Sequence, residues 1–264
     1  SKAFQTSFLQ PLFAGITLDQ NRMERSAFAS FTFSAMSHGS MTMPKQGIEA
    51  VPNQILQNLK STEIKFNTTV TSVSSDAVLL ESGESIKADI VILATPQNVT
   101  QNLLGATDTP RRKETATYVF ACKNPPLKRA RLLLNTEYGE GNHKILHVHV
   151  PTLLHGSDSH LVVATVIGED SRLHEHKSEQ KKIRTELTNW FGSDAKDWSF
   201  IGTTYVDYAL PSGGTTATGR VRQPLIQDGI YCIGDHTMHP SVQGTLRSVE
   251  RLLEHLEIPI PMKG

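Results

Sequence analysis

The chain has 264 residues, enough to bury a sizeable core in one large domain or two interleaved ones. Its 26 Lys and Arg balance 26 Asp and Glu, which argues against a nucleic-acid surface, since that needs a basic face. No apolar run is long enough to span a bilayer as a helix, and Cys122 and Cys232 show no metal-site spacing and read as reduced, buried thiols of a cytoplasmic-type compartment.

The first residues, SKAFQTSFLQPLFAGI, show neither an initiator Met nor a signal-peptide pattern, and the expectation is a fragment or processed product. SAFASFTFSAMSHGS follows as helix and loop. Ile48, Val51, Ile55 and Leu59 recur at helical spacing and predict an amphipathic helix over 47–60, with Pro52 tolerated near its start. Ile64, Phe66, Thr68 and Val70 alternate and predict a half-buried strand over 63–74. DAVLLESGES reads as a strand entering a hairpin at Ser82-Gly83. DIVILATP is a continuous apolar run, as in a strand buried on both faces, and it stops at Pro96.

From 107 to 170 the pattern changes. TYVFACK, ARLLLN, ILHVHV and HLVVATVIG are short strands between turn-rich segments and predict an antiparallel sheet. SEQKKIRTELTNWFG is a helix with Ile183, Leu187, Trp190 and Phe191 on one face and Gly192 as C-cap. Its charge-rich part, HKSEQKKIR, reads as a solvated face. DWSFIGTTYVDYALP adds a strand, and SGGTTATG a flexible loop. The order is mixed αβ, then an antiparallel block, then a strand–helix return. A block inserted into one domain explains it better than two tandem domains.

That return, GIYCIGDHTMHPSVQGTLRSVERLLEHL, is the informative stretch. An apolar strand ends at Gly234-Asp235, where open α/β sheets gather ligands. Asp235 there offers acceptors for ribose or ribityl hydroxyls. Pro240 fits the first position of the next helix, and Val242, Leu246, Val249, Leu253 and Leu256 form one apolar stripe. The helix start offers unpaired N–H groups to a phosphate or carbonyl. Gly244 costs that helix about 1 kcal/mol against Ala, which makes sense if something approaches its backbone closely. A plain helix packed on a strand, with Asp235 as a local cap, accounts for the same pattern.

These residues resemble the C-terminal FAD-binding signature of the flavin amine oxidase and phytoene desaturase superfamily. Gly234, Asp235, Ser241, Gly244 and Ser248 fall on its pattern, while Thr245 stands for the usual Ala and Val249 for the usual Gly. MPKQGIEAVPNQILQNL is similar to the family's Pro-x-Gly-Gly-Met segment, with Gln46 and Ile48 as departures. FLQPLFAGITLD resembles its Phe-x-x-Pro-Phe segment. EIKFNTTVTSVSSDAVLLESGESIKADIVILATP is similar to its middle FAD-domain strands. The resemblance implies FAD as cofactor, with Val70 against the adenine and Ala94, Thr95 and Pro96 closing on it. It places Gly234, Asp235, Ser241, Val242, Gln243 and Gly244 at the cofactor. The implied fold is α/β (α+β), a partial Rossmann-like FAD domain interleaved with a substrate domain on an antiparallel sheet. Residues 1–45 would be the substrate domain's helical part, 46–106 the middle of the FAD domain, 107–210 the substrate sheet, and 211–264 the FAD domain's closing strand and helix.

The implied activity is dehydrogenation of a small organic substrate by hydride transfer to flavin. The family's G-x-G-x-x-G cradle is absent, since GEGNHK and GGTTATG both fail its spacing. The expectation is half a cofactor site, completed by a missing N-terminal segment or a separate nucleotide-binding chain. Such a chain binds FAD weakly or not at all by itself. A truncated relative serving as a non-catalytic binding or structural module is the competing class. Amine oxidases carry an aromatic residue where Ser241 stands, which favours a desaturase-like reaction. Tyr205 and Tyr208 either face the flavin or are ordinary sheet aromatics. His236 and His239 flank the cofactor turn, for flavin contact, substrate contact or proton transfer, or as loop histidines. His147 with His149, and His174 with His176, lack a third ligand, so no metal site is expected.

Overall fold

The computed structural model describes residues 1–19, 26–40, 42–107, 113–154, 159–211, 223–227 and 229–259. Helices α1 (Lys2–Phe4) and α2 (Gln10–Thr17) flank a π-helical turn, followed by α3 (Ser26–His38) and α4 (Ala50–Asn58). Strands β1 (Val70–Val73), β2 (Ala77–Leu80), β3 (Ser85–Lys87) and β4 (Val91–Leu93) lead into α5 (Gln97–Leu103). Next come β5 (Thr115–Cys122), β6 (Leu133–Leu134), β7 (His147–His149), β8 (His160–Ile167), α6 (Lys177–Phe191) and β9 (Ser199–Val206). The chain closes with β10 (Leu225–Gln227), β11 (Ile230–Cys232) and α7 (Val242–His255). The predicted loop 212–219 lies outside the described residues. The elements divide into two compact units, Ser1–Glu24 with Arg111–Ser212, and Arg25–Pro110 with Gly213–Gly264. The helical segment 25–45, expected with the substrate sheet, lies in the second unit.

The first unit is built on an antiparallel sheet of order β6-β7-β8-β5-β9. Alternation in β5 puts Ala116, Tyr118, Phe120 and Cys122 on one face, fully or nearly buried. They cluster with Val148, Val162, Ala164 and Val166, and with Ile183 and Leu187 of α6. α6 ends as its sequence predicts, with Gly192 at φ 84° after Phe191. Its charged stretch is not simply solvated, because Glu179 is buried and pairs with Lys144 at 3.1 Å. Glu186 is also buried. It accepts the Lys144 and Ile145 amides at 3.0 and 3.2 Å and the Asn135 side-chain amide at 3.1 Å.

The opposite sheet face is half-buried. Register places His147 beside Thr165 and His149 beside Val163, with Thr117 and Val119 next along β5. α2 comes close to β7, since a Cβ on Gly15 would lie 3.2 Å from the His147 Nδ1. Burial, reinforced by His149, pushes the His147 pKa down to about 4.

The second unit holds two small sheets, β1-β2-β3 and β10-β11-β4. The hairpin at Ser82-Gly83 forms as predicted, with Gly83 at φ 87° between β2 and β3. The predicted strand over 63–74 is shorter and begins at Val70. Asn67 turns the preceding backbone left-handed at φ 53°, and Phe66 is 71% exposed. β4 is buried on one face only: Val91 and Leu93 pack on Ile230 and Cys232, while Ile92 is exposed. The predicted amphipathic helix forms as α4, but none of its residues is buried.

Candidate functional site

β11 pairs with β4 in parallel, Ile230 to Val91 and Cys232 to Leu93. Both strands therefore end at the same edge, and the Ile233 amide still donates to the Leu93 carbonyl at 3.0 Å. Two segments 140 positions apart in the chain, 94–96 and 234–235, emerge side by side. Strand ends of this kind are where α/β sheets ordinarily hold ligands. On the β4 side, Pro96 caps α5 and its carbonyl accepts the Thr100 amide at 2.9 Å. The Thr95 and Thr100 hydroxyls meet at 2.8 Å, fixing the Ala94-Thr95-Pro96 corner. Val70 lies on the separate β1-β2-β3 sheet, half-buried at a register shift opposite Leu80.

On the β11 side the turn is built by close contacts. Gly234 has φ 136°, and a Cβ there would lie 2.9 Å from the His236 ring. Its N–H donates to the Ser248 hydroxyl at 2.8 Å, and Ser248 donates to the Thr245 carbonyl at 2.6 Å. Thr237 Oγ1 donates to the Gly234 carbonyl at 2.8 Å. Asp235 follows, its side chain 32% exposed. Burial raises its pKa, against backbone N–H bonds and the His239 charge that lower it.

α7 begins at Val242, and Ser241 is its N-cap, accepting the Gly244 amide at 2.9 Å. Pro240 thus precedes the cap instead of opening the helix, because Ser241 supplies the acceptor the helix start needs. The buried stripe of α7 is Gly244, Ser248 and Leu252, not the Val242–Leu246 side, where Val242 is 62% and Leu246 49% exposed. Gly244 and Ser248 bring the first turns of the helix against the strand-end turn, and Val242 and Leu246 point away. A Cβ on Gly244 would overlap the His239 carbonyl oxygen. The close approach that demands glycine comes from the chain's own backbone. By position, the Val242 and Gln243 amides have no intrahelical acceptor, and both side chains are exposed.

The two histidines separate clearly. His236 is buried, with Nε2 3.2 Å from the Cys232 sulfur. His239 is half-buried, with Nδ1 2.8 Å from the Ser241 hydroxyl. Its ring lies 4.6 Å from that of Phe31 and 6.5 Å from that of Phe28. Burial lowers its pKa, partly offset by Asp235, so it is neutral at pH 7. Nothing in the sequence linked Phe31 to His239, since only the tertiary fold brings α3 to the turn.

Tyr205 and Tyr208 belong to the first unit and the Gly234 turn to the second. Tyr205 packs on the core face of the sheet. Its ring stacks on His174 at 4.4 Å, and burial beside Glu114 raises its pKa. Tyr208 is half-buried just beyond β9. His176 occupies the N-cap position of α6. Among the described residues no group of three or more His, Cys, Asp and Glu could hold a metal ion, and no helix is long and apolar enough to cross a membrane.

A carboxylate at the end of a parallel strand, next to a helix start and a second strand-end corner, is an arrangement at which α/β sheets can hold a ligand. The model of the flavin containing amine oxidoreductase family matches residues 2–251, and the chain belongs to that family. Its cofactor is FAD. Among solved structures, a protein provisionally assigned as a protoporphyrinogen oxidase from Exiguobacterium sp. 255-15 superposes with a TM-score of 0.65 at 18% identity, over 81% of this chain and 51% of that one. Putrescine oxidase bound to putrescine superposes with a TM-score of 0.59 at 15% identity, over 81% and 53%. Reduced UDP-galactopyranose mutase gives 0.59 at 15%, over 81% and 52%. These likenesses show the fold. The chain spans about half the length of each of these structures. No curated protein matches it in sequence.

Proposed function

We propose that this chain forms the substrate-domain sheet and one wall of the FAD site of an oxidoreductase that dehydrogenates a small organic molecule. The adjacency of 94–96 and 234–235 at the ends of β4 and β11 carries the reading. The residues fit the cofactor. Asp235 is a partly shielded acceptor suited to ribityl or ribose hydroxyls. The Val242 and Gln243 amides suit an anionic or carbonyl oxygen. A bound flavin would supply the acceptor for a hydride equivalent leaving a C–H as the adjoining C–N or C–C bond becomes double and the neighbouring atom loses a proton. The chain's own residues would bind and orient: Asp235 accepts hydrogen bonds from hydroxyls, the α7 start holds an electron-rich oxygen, and the Thr95 corner limits the crevice.

The other wall, in this reading, is a nucleotide-binding segment with a G-x-G-x-x-G turn, in the same polypeptide or a separate chain. Exposed apolar faces in the second unit support it. Val51, Ile55 and Leu59 on and just after α4, Ile92 on β4, and Val242 and Leu246 on α7 are all more than a third exposed. Parallel sheets are ordinarily covered on both faces.

Fluorescence titration of the chain alone with FAD should show weak binding, lost in Asp235→Ala. Tight stoichiometric binding would sink the half-site reading, and an unchanged Asp235→Ala would remove Asp235 from the cofactor. Flavin bleaching in the flavin-loaded polypeptide, screened against amines, porphyrinogens and polyenes, would then select the substrate class.

A further inference from the structure

His236 and His239 stand three residues apart in the same turn, yet the structure gives them different work. His236 is buried between β11 and the turn, with its Nε2 directed at the Cys232 sulfur. It is a packing strut. His239 is half-buried, and three groups fix its ring. Phe31 lies against it with the centroids 4.6 Å apart. The Gly244 backbone passes so close that a Cβ there would come within 3.0 Å of Nδ1. The Ser241 hydroxyl sits 2.8 Å from Nδ1.

The Ser241 oxygen already accepts the Gly244 amide at 2.9 Å as the α7 cap. Its own proton then has one acceptor among the described residues, His239 Nδ1. A neutral imidazole that accepts at Nδ1 carries its proton on Nε2. No described side chain or backbone group is hydrogen-bonded to that Nε2. Burial keeps the ring neutral, while Asp235 opposes that effect from the same turn.

We propose that the α7 cap sets His239 as the Nε2–H tautomer, a fixed neutral hydrogen-bond donor to the ligand held at the Asp235 turn. The donor faces an acceptor oxygen or nitrogen of that ligand, and Asp235 supplies the complementary acceptor for its hydroxyls. This rests on the reading that the turn binds FAD. His239 is a binding residue here and Ser241 a positioning residue. The same Ser241 hydroxyl starts the helix and selects the tautomer, so helix capping and ligand recognition are mechanically one device.

The test uses the full chain labelled with ¹⁵N-histidine and ¹⁵N-backbone. Long-range ¹H–¹⁵N spectra at pH 7.5 should show His239 neutral with the proton on Nε2, and Ser241→Ala should shift the balance toward Nδ1–H. Millimolar FAD should then move the His239 Nε2 and the Gly234 and Asp235 amide resonances together. His239→Gln, which keeps a donor near Nε2, should bind within about threefold of the parent, and His239→Phe, which keeps only the ring, about tenfold more weakly. An Nδ1–H or doubly protonated ring overturns the inference whatever FAD does. FAD shifts at Gly234 and Asp235 that leave His239 unmoved, or a His239→Phe that binds like the parent, overturn it and leave the FAD reading standing. Silence at all three residues at millimolar FAD overturns both.

Discussion

The two units of this chain solve burial differently. In the first, a five-stranded sheet and α6 enclose a continuous core in which Phe120, Val162, Ala164 and Leu187 have no exposure at all. In the second, the core cluster is four fully buried residues, Val91, Leu93, Ile230 and Cys232, with partial cover from Val73, Val78 and Leu103. Around it, apolar side chains face outward on α4, β4 and α7. An antiparallel sheet with a helix on one face is self-sufficient, whereas a parallel pair needs cover on both faces. The unit that carries the proposed cofactor turn is therefore also the one with the smaller core, in keeping with the half-site reading.

Several substitutions can break or sharpen that contrast. Phe120→Ala, in the self-sufficient core, should cost about 3–5 kcal/mol by urea unfolding of the first unit. A loss under 1 kcal/mol would mean that core is looser than its packing indicates. The next effect is one of pH. His147 has its folded pKa depressed to about 4 from 6.5 by burial. As pH falls, the unfolded chain takes up the proton first. The stability this group contributes is full above pH 6.5 and lost down to about pH 4, worth about 3 kcal/mol. His149 is shifted in the same direction by burial. Unfolding measured from pH 7.5 to 4 should show this slope, and His147→Gln should flatten it.

In the second unit the turn is tight even where the outer faces are open. Gly244→Ala would force a Cβ onto the His239 carbonyl and should destabilise by about 1–3 kcal/mol. Thermal unfolding unaffected by that change would show that the turn yields. Ser241→Ala removes the α7 cap and should cost about 1 kcal/mol, seen as fraying in hydrogen exchange at Gly244. The smallest effect belongs to the open faces. Ile55→Ser or Val242→Ser should change the isolated chain by about 0.5 kcal/mol or less. The same changes should weaken association with the nucleotide-binding part. A large loss in the isolated chain would show that these residues already pack.

The sequence by itself determined the local order. TYVFACK reads as a strand and is one, and its burial alternates because side chains on a strand do so regardless of what lies beyond. Periodicity and Gly192 placed α6 and its end. The Gly-Asp pair and the Ser-x-x-Gly start placed the strand end and the helix cap within a few residues, because both have local chemistry. What periodicity could not decide was which neighbours each face meets. DIVILATP is apolar throughout, yet only Val91 and Leu93 find partners. Val242 and Leu246 of the apolar stripe face outward, and Val249, Leu253 and Leu256 are only half-buried, because Gly244 and Ser248 make the close contact. Nor could one dimension show that 94–96 and 234–235 share an edge, that Phe31 braces His239, or that His236 is a strut. These depend on the parallel pairing of β4 with β11 and on the packing of α3. Only the tertiary structure brings such distant segments together and so decides which residues form the site.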